Sequence, residues 1–106
     1  MSDVPAGVSN AFMTFMQEAP NHSAAWMQAV QGLDEAGSLD KKTAELAYLA
    51  VLAALRMESG IPFHVKMAKE AGATREEIIS AVLVGLPAAG LGVTQVLPAA
   101  LAAYDE

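Results

Sequence analysis

Glu45 and His64 are the residues of this chain whose types and positions could carry acid and base chemistry. They stand nineteen positions apart, and no cysteine lies between them. Glu45 is the only charged side chain in the run 44–55, which otherwise has the composition of an apolar helix. A carboxylate there needs a partner, because burying it alone would cost on the order of several kcal/mol. An imidazole could be that partner, and such a pair could exchange a proton near neutral pH.

Both residues also have purely structural interpretations. Glu45 could be a buried carboxylate bonded to a backbone amide or to Tyr48, which lies three positions along the same helix face. His64 follows the apolar loop 60–63 and could be satisfied by a neighbouring carbonyl. If His64 lies in the first turn of a helix, free backbone amides form an anion site beside the ring, and such a site suits a small carboxylated ligand.

Helices are expected to position these residues, and the chain is predicted to be all-α. Sustained alternation of polar and apolar residues is absent, and β-branched residues are sparse. The first three helices are predicted from about 5 to 18 with Pro5 in the first turn, from about 20 to 36, and from a cap at Ser38 or Asp40 to about 57. The third helix is apolar nearly all round, so we expect it to be central.

Three further helices are predicted in the second half of the chain. The fourth covers about 62–72, and the fifth covers about 75–88 behind a capping box of Thr74 and Glu77. Gly90 and Gly92 end the fifth, and a sixth runs to about 104 with Pro98 near its start or at a kink.

The 27 residues from Ile78 to Tyr104 carry no charge, which raises the question of a membrane span. Three glycines and two prolines interrupt this run, and its flanks are mixed or acidic instead of basic. Two helices buried against other subunits fit the run better.

The composition limits the classes of partner. The 106 residues form a single predicted domain, 1–106, that is 54% apolar and 17% charged, with a mean hydropathy of +0.34. A small domain has too little interior to hide so much apolar surface, so we expect an obligate oligomer. Trp26 and the phenylalanines and methionines of the first two helices are expected in the core or at a subunit interface.

Charge and cysteine content exclude other functions. The net charge of −6 and the six lysine and arginine residues argue against nucleic-acid binding. The absence of cysteine excludes disulfides, thiolate metal sites and thiol redox chemistry within the chain. His22 and His64 alone make a poor metal-ligand set, and no metal site is predicted. The N-terminal residues lack the features of a signal peptide, so a cytoplasmic location is expected.

Residues 39–46, LDKKTAEL, and 64–78, HVKMAKEAGATREEI, resemble the carboxymuconolactone decarboxylase and alkylhydroperoxidase AhpD-like family. The resemblance covers about 12–104 and implies an AhpD-like fold of about six helices, assembled as a trimer or hexamer. The peroxidase branch carries the pattern Glu-x11-Cys-x2-Cys-x3-His. Glu45 and His64 fall on its glutamate and histidine, whereas Met57 and Gly60 fall on its two cysteines.

These two substitutions exclude the dithiol peroxidase route, because a thioether and a hydrogen cannot replace a thiolate nucleophile. The decarboxylase branch lacks the cysteines, keeps the histidine, and acts on a lactone bearing carboxylates without a metal or organic cofactor. By this resemblance, His64 is the catalytic acid or the anion anchor, and Glu45 orients it. The residues predicted to bind a small carboxylate or lactone are Tyr48, Arg56, Met57 and Gly60. The alternative is a non-catalytic binding or assembly module that has lost its redox centre.

Overall fold

The computed structural model describes residues 7–106, and every regular element in that range is helical. Six helices have nine residues or more, and one is a single turn. They are α1 (Asn10–Glu18), α2 (Pro20–Ala36), α3 (Lys41–Leu55), α4 (Ile61–Glu70), α5 (Arg75–Leu83), the short α6 (Leu86–Ala89) and α7 (Leu97–Asp105). Two 3-10 segments, Glu58–Gly60 and Leu91–Val96, precede α4 and α7. The predicted all-α class is confirmed.

The core lies between α3, α4, α5, α7 and the second 3-10 segment. Its largest fully buried side chains are Leu49, Ile61, Val65, Ile78, Val82, Val93 and Val96. The expected central position of α3 agrees with its packing against α4, α5 and the segment Leu91–Val96. By contrast, α1 and α2 pack mainly on each other and contribute almost nothing to this core.

Polar side chains begin three of the helices. The Ser9 hydroxyl accepts from the Phe12 amide at 3.1 Å, so α1 begins at Asn10 and the predicted start near residue 5 is wrong. Pro5, which was expected in the first turn, lies outside the described residues. Asp40 accepts from the Thr43 amide at 2.8 Å and begins α3.

The predicted capping box at the start of α5 is present. The Thr74 hydroxyl accepts from the Glu77 amide at 3.1 Å, and the Glu77 carboxylate accepts from the Thr74 amide at 2.9 Å. This amide hydrogen bond, together with the ion pair to Lys42 at 3.0 Å, holds the pKa of Glu77 below its ordinary value.

Helix α5 stops at Leu83, five residues before its predicted end. Pro87 has no amide hydrogen to donate to the Leu83 carbonyl, so a continuous helix through this point would lose a bond. The chain turns at 84–85 and resumes as α6, in which Pro87 occupies the second position. Pro98 takes the same place in α7.

The long uncharged run is therefore divided among several short helical segments. Within residues 7–106, no helix combines the length and apolarity required to cross a bilayer. The C-terminal end of α7 is attached to α4 and α5 by polar contacts. Lys69 donates to the Tyr104 carbonyl at 2.6 Å, and Arg75 pairs with Asp105 at 3.0 Å.

Candidate functional site

Glu45 of α3 and His64 of α4 meet across the helix pair. Oε1 of Glu45 lies 2.8 Å from Nδ1 of His64. The two side chains are 17% and 25% exposed, so the contact is shielded from bulk water without being sealed from it. A site of this kind allows a proton donor to reach both solvent and a bound molecule.

The packing of each helix explains the encounter. Glu45 shares its face of α3 with Leu49 and Leu52, at i+4 and i+7, and both leucines are buried. The carboxylate is therefore carried on the side of α3 that faces the core. On α4, Ile61 and Val65 are fully buried and seat the helix against α3, with His64 next to this apolar face.

The contact with Glu45 indicates which imidazole nitrogen of His64 carries the hydrogen. An ionised carboxylate can only accept, so Nδ1 carries the hydrogen in this contact. Among the described residues, no group hydrogen-bonds Nε2 of His64. Nε2 is therefore the nitrogen available to exchange a proton with a ligand.

Two aromatic rings hold the imidazole in place. The ring centroid of Tyr48 lies 4.3 Å from that of His64, with an interplanar angle of 48°. Phe63 contacts the imidazole edge-on, at 5.1 Å and 90°. Sequence reasoning placed Tyr48 near the pair but did not single out Phe63. The position of Phe63 beside His64 in the chain is the only signal that the sequence offers for it.

Gly7 lies against the Phe63 backbone, where a Cβ would come within 2.8 Å of the Phe63 nitrogen.

The start of α4 differs from the expected one. The helix begins at Ile61, not Pro62, and the 3-10 turn Glu58–Gly60 leads directly into it. The Ile61 amide donates to the Glu58 carbonyl, and the Gly60 amide donates to the Met57 carbonyl at 3.3 Å. These amides are already used within the chain, which weakens the predicted anion site at this helix start.

The other expected binding residues lie along the connection between α3 and α4. Gly60 packs on Leu52, since a Cβ there would lie 3.3 Å from two Leu52 methyl carbons. Met57 is exposed. Tyr48 touches the pair, but Arg56 has no hydrogen bond or ion pair with it among residues 7–106.

Arg56 has an unusual backbone and an unusual neighbour. With φ 57° and ψ 37° it is the only described non-glycine residue in the left-handed region. It ends α3 in a Schellman motif, in which the Met57 amide donates to the Leu52 carbonyl at 2.9 Å and the Arg56 amide to the Ala53 carbonyl at 3.1 Å. Its guanidinium lies against Gly92, where a Cβ would lie only 2.5 Å from Cζ.

Other regions of the described chain do not extend the site. A cleft of about 480 Å³ between α1 and α2 is lined by Phe12, Phe15, His22, Ala25 and Trp26, and it contains neither member of the pair. Within residues 7–106, no three histidine, aspartate or glutamate side chains converge closely enough to hold a metal ion.

The described chain is thus an all-helical fold in which a glutamate and a histidine meet across two neighbouring helices. Residues 20–106 match the family model described as the carboxymuconolactone decarboxylase family. The chain therefore belongs to the carboxymuconolactone decarboxylase family, as the sequence resemblance implied.

A solved structure agrees with this assignment. The chain is similar to the apo crystal structure of a carboxymuconolactone decarboxylase family protein from Legionella pneumophila, with 27% identity and a TM-score of 0.75. The match covers 90% of this chain and 85% of that one. No curated protein matches the sequence significantly.

Proposed function

We propose that this protein catalyses a cofactor-independent acid–base reaction, decarboxylation or a related lactone reaction, on a small carboxylate. The observation that carries the proposal is the 2.8 Å contact between Glu45 and Nδ1 of His64, which leaves Nε2 without a protein partner in the described chain. Family membership supports the reaction class. The lack of cysteine removes the dithiol alternative.

The pair would act as follows in decarboxylation. The bond from a substrate carbon to its carboxylate carbon breaks, CO2 leaves, and the electron pair remains on the substrate carbon. His64 in its imidazolium form donates the proton on Nε2 to that carbon. Glu45 orients the ring and stabilises the imidazolium through Nδ1. Water then returns a proton to Nε2.

The residues around the pair supply binding surfaces of different kinds. Tyr48 offers an aromatic face and a hydroxyl, and Met57 and Gly60 border the connection that leads into α4. Arg56 is the cation assigned to the substrate carboxylate, since no described carboxylate pairs with it. It follows Tyr48 by eight residues of helix, about 12 Å.

Ligand binding and turnover test the proposal separately. Lactones bearing one or two carboxylates are titrated against thermal unfolding, because a ligand that binds the native state raises its stability. CO2 release is then measured for the stabilising compounds. His64→Gln is expected to reduce turnover by about 100-fold or more, since it removes the general acid. His22→Gln, at the other histidine, which is exposed on α2, is the matched control.

Glu45→Gln separates orientation of the ring from proton donation. A glutamine can present its amide donor to Nδ1 and so favour the wrong tautomer, which is expected to lower turnover while ligand affinity changes little. Glu70→Gln, on the exposed part of α4, is the control. Turnover that survives both His64→Gln and Glu45→Gln would refute the proposed reaction.

A second candidate function is a non-catalytic binding or assembly module with the same fold. The exposure of Trp26, Met27 and Leu33 on α2 favours it, because such surface is typical of an interface. This candidate predicts that no lactone or keto acid stabilises the protein, and that His64→Gln changes only its assembly or unfolding.

A further inference from the structure

Tyr48 has an aromatic ring fixed against His64 and a hydroxyl with no partner among the described residues. Its ring centroid lies 4.3 Å from that of the imidazole. The residue as a whole is 48% exposed, so this contact covers only part of the side chain. No residue of the described chain forms a hydrogen bond with the Tyr48 hydroxyl. The hydroxyl is therefore available to a ligand beside the imidazole.

Tyr104, the other tyrosine of the chain, uses its hydroxyl differently. It donates to the Ala73 carbonyl at 2.9 Å and so connects α7 to the link between α4 and α5. This bond is partly buried and belongs to the framework of the fold. The two tyrosines thus differ in a way that an experiment can use, since each can lose its hydroxyl while keeping its ring.

Three side chains are shown to contact the imidazole of His64, and only one of them carries a hydrogen-bond donor. Ionised Glu45 accepts from Nδ1, and Phe63 has no polar atom. The Tyr48 hydroxyl can both donate and accept. The contacts of the described chain therefore supply one donor besides Nε2 to a small ligand at this position.

The backbone immediately before His64 does not replace this donor. The Gly60 and Ile61 amides donate to carbonyls of residues 57–58. Pro62 has no amide hydrogen. These three positions therefore offer no free amide to a substrate oxygen.

Decarboxylation needs a group that accepts the electron pair left by the departing CO2. In a lactone whose carbonyl is conjugated with the reacting carbon, the pair spreads onto the carbonyl oxygen and forms an enolate. A donor to this oxygen lowers the barrier, because the oxygen carries more negative charge in the transition state than in the substrate. Removal of one such donor lowers kcat by about 100-fold to 1,000-fold in well-studied enzymes.

We propose that Tyr48 is a catalytic residue of the Glu45–His64 site and that its hydroxyl donates to the enolate oxygen. This inference rests on the proposed function and adds a second donor to it. The bond to the carboxylate carbon breaks, CO2 leaves, and the electron pair moves to the carbonyl oxygen. Tyr48 keeps its proton and stabilises this charge through a hydrogen bond. Nε2 of His64 then gives its proton to the carbon, and the carbonyl forms again.

Tyr48→Phe tests the role of the hydroxyl in turnover, because it keeps the ring that contacts His64. Its kcat for CO2 release is expected to fall by about 100-fold or more with KM nearly unchanged, since the lost bond acts on charge that the substrate does not yet carry. Tyr104→Phe is the matched control and is expected to keep the wild-type kcat at a temperature where both variants are folded. An unchanged kcat in Tyr48→Phe, or an equal loss in both variants, would overturn the proposal.

Binding of a stable enolate separates this inference from the proposed reaction. Tetronic acid is a small lactone that is ionised as its enolate at neutral pH, and butenolide is an uncharged lactone with the same ring. Tetronate is expected to bind the wild type about tenfold or more tightly than Tyr48→Phe, because a hydrogen bond to a charged oxygen is lost. Butenolide is expected to bind both proteins alike.

Each outcome of the binding comparison has a defined meaning. Equal affinities of the two proteins for tetronate, or no tetronate binding, would overturn the role assigned to Tyr48. A clear difference in tetronate affinity, in a wild type that releases CO2 from no lactone, would support the enolate contact and refute the proposed decarboxylation. Failure of the inference and failure of the proposed function are therefore distinguished.

Discussion

Replacement of Arg56 by glycine is expected to make the protein more stable. Arg56 holds φ 57° and ψ 37° at the end of α3, where a side chain costs about 1–2 kcal/mol and glycine costs nothing. Glycine also makes the unfolded chain more flexible. This lowers the free energy of unfolding by about 0.4–1 kcal/mol and offsets part of the gain. The net expectation is a gain of about 0.5–1 kcal/mol, or roughly 4 °C in Tm for a chain of this length.

Arg56→Ala is the control that isolates the backbone effect. Both variants lose the guanidinium and its contact with Gly92, but only alanine keeps a Cβ in the left-handed conformation. Denaturant and thermal unfolding at one fixed protein concentration are expected to rank Arg56→Gly above Arg56→Ala. Equal stability, or a more stable alanine variant, would refute the assignment of strain to this residue.

The same variants test why arginine stands where glycine would be more stable. Strained residues persist where function needs their side chain, so Arg56 is a candidate anchor for a ligand carboxylate. Loss of a charge-assisted hydrogen bond costs about 1.5–3 kcal/mol, which corresponds to a tenfold or greater loss of affinity. Arg56→Gly and Arg56→Ala are both expected to show this loss for a carboxylated lactone, and Arg56→Lys is expected to show less. Unchanged affinity in all three would remove Arg56 from the site.

Three further predictions concern the framework that holds the site. Leu49→Ala leaves a cavity in the fully buried core and is expected to cost about 2–5 kcal/mol in denaturant unfolding; a cost below about 1 kcal/mol would contradict this packing. Tyr104→Phe removes the 2.9 Å hydrogen bond to the Ala73 carbonyl and is expected to cost about 1 kcal/mol, measured the same way. Because the pKa of Glu77 is lowered in the folded chain, its contribution is present at neutral pH and is lost as pH falls below the ordinary value of 4.5. The Tm difference between wild type and Glu77→Gln is therefore expected to shrink from pH 7 to pH 3; a constant difference would contradict it.

Local signals in the sequence predicted most of the helical framework. The capping box at Thr74 and Glu77 and the cap at Asp40 depend on neighbours three positions away, so they can be recognised without a fold. Helix α5 ends earlier than predicted because Pro87 has no amide hydrogen to donate to the Leu83 carbonyl. Helix α1 begins at Asn10 because the Ser9 side chain caps it, a signal that is also local in sequence.

The candidate site was partly predictable for a related reason. Glu45 and His64 lie on two helices joined by a short connection, and an isolated carboxylate in an apolar run requires a partner. Their spacing could therefore suggest a pair. The edge-on contact of Phe63 could not be derived in this way, because it depends on how α4 is rotated against α3.

The sequence by itself determined the helical class, the family, the absence of cysteine and the two residues proposed to exchange a proton. These properties follow from residue type and from spacing along the chain. Only the tertiary structure decided which imidazole nitrogen Glu45 engages, that the Arg56 guanidinium lies on Gly92, and that α2 faces outward. Each of these depends on the relative rotation and separation of helices, which packing among distant residues sets and local sequence does not encode.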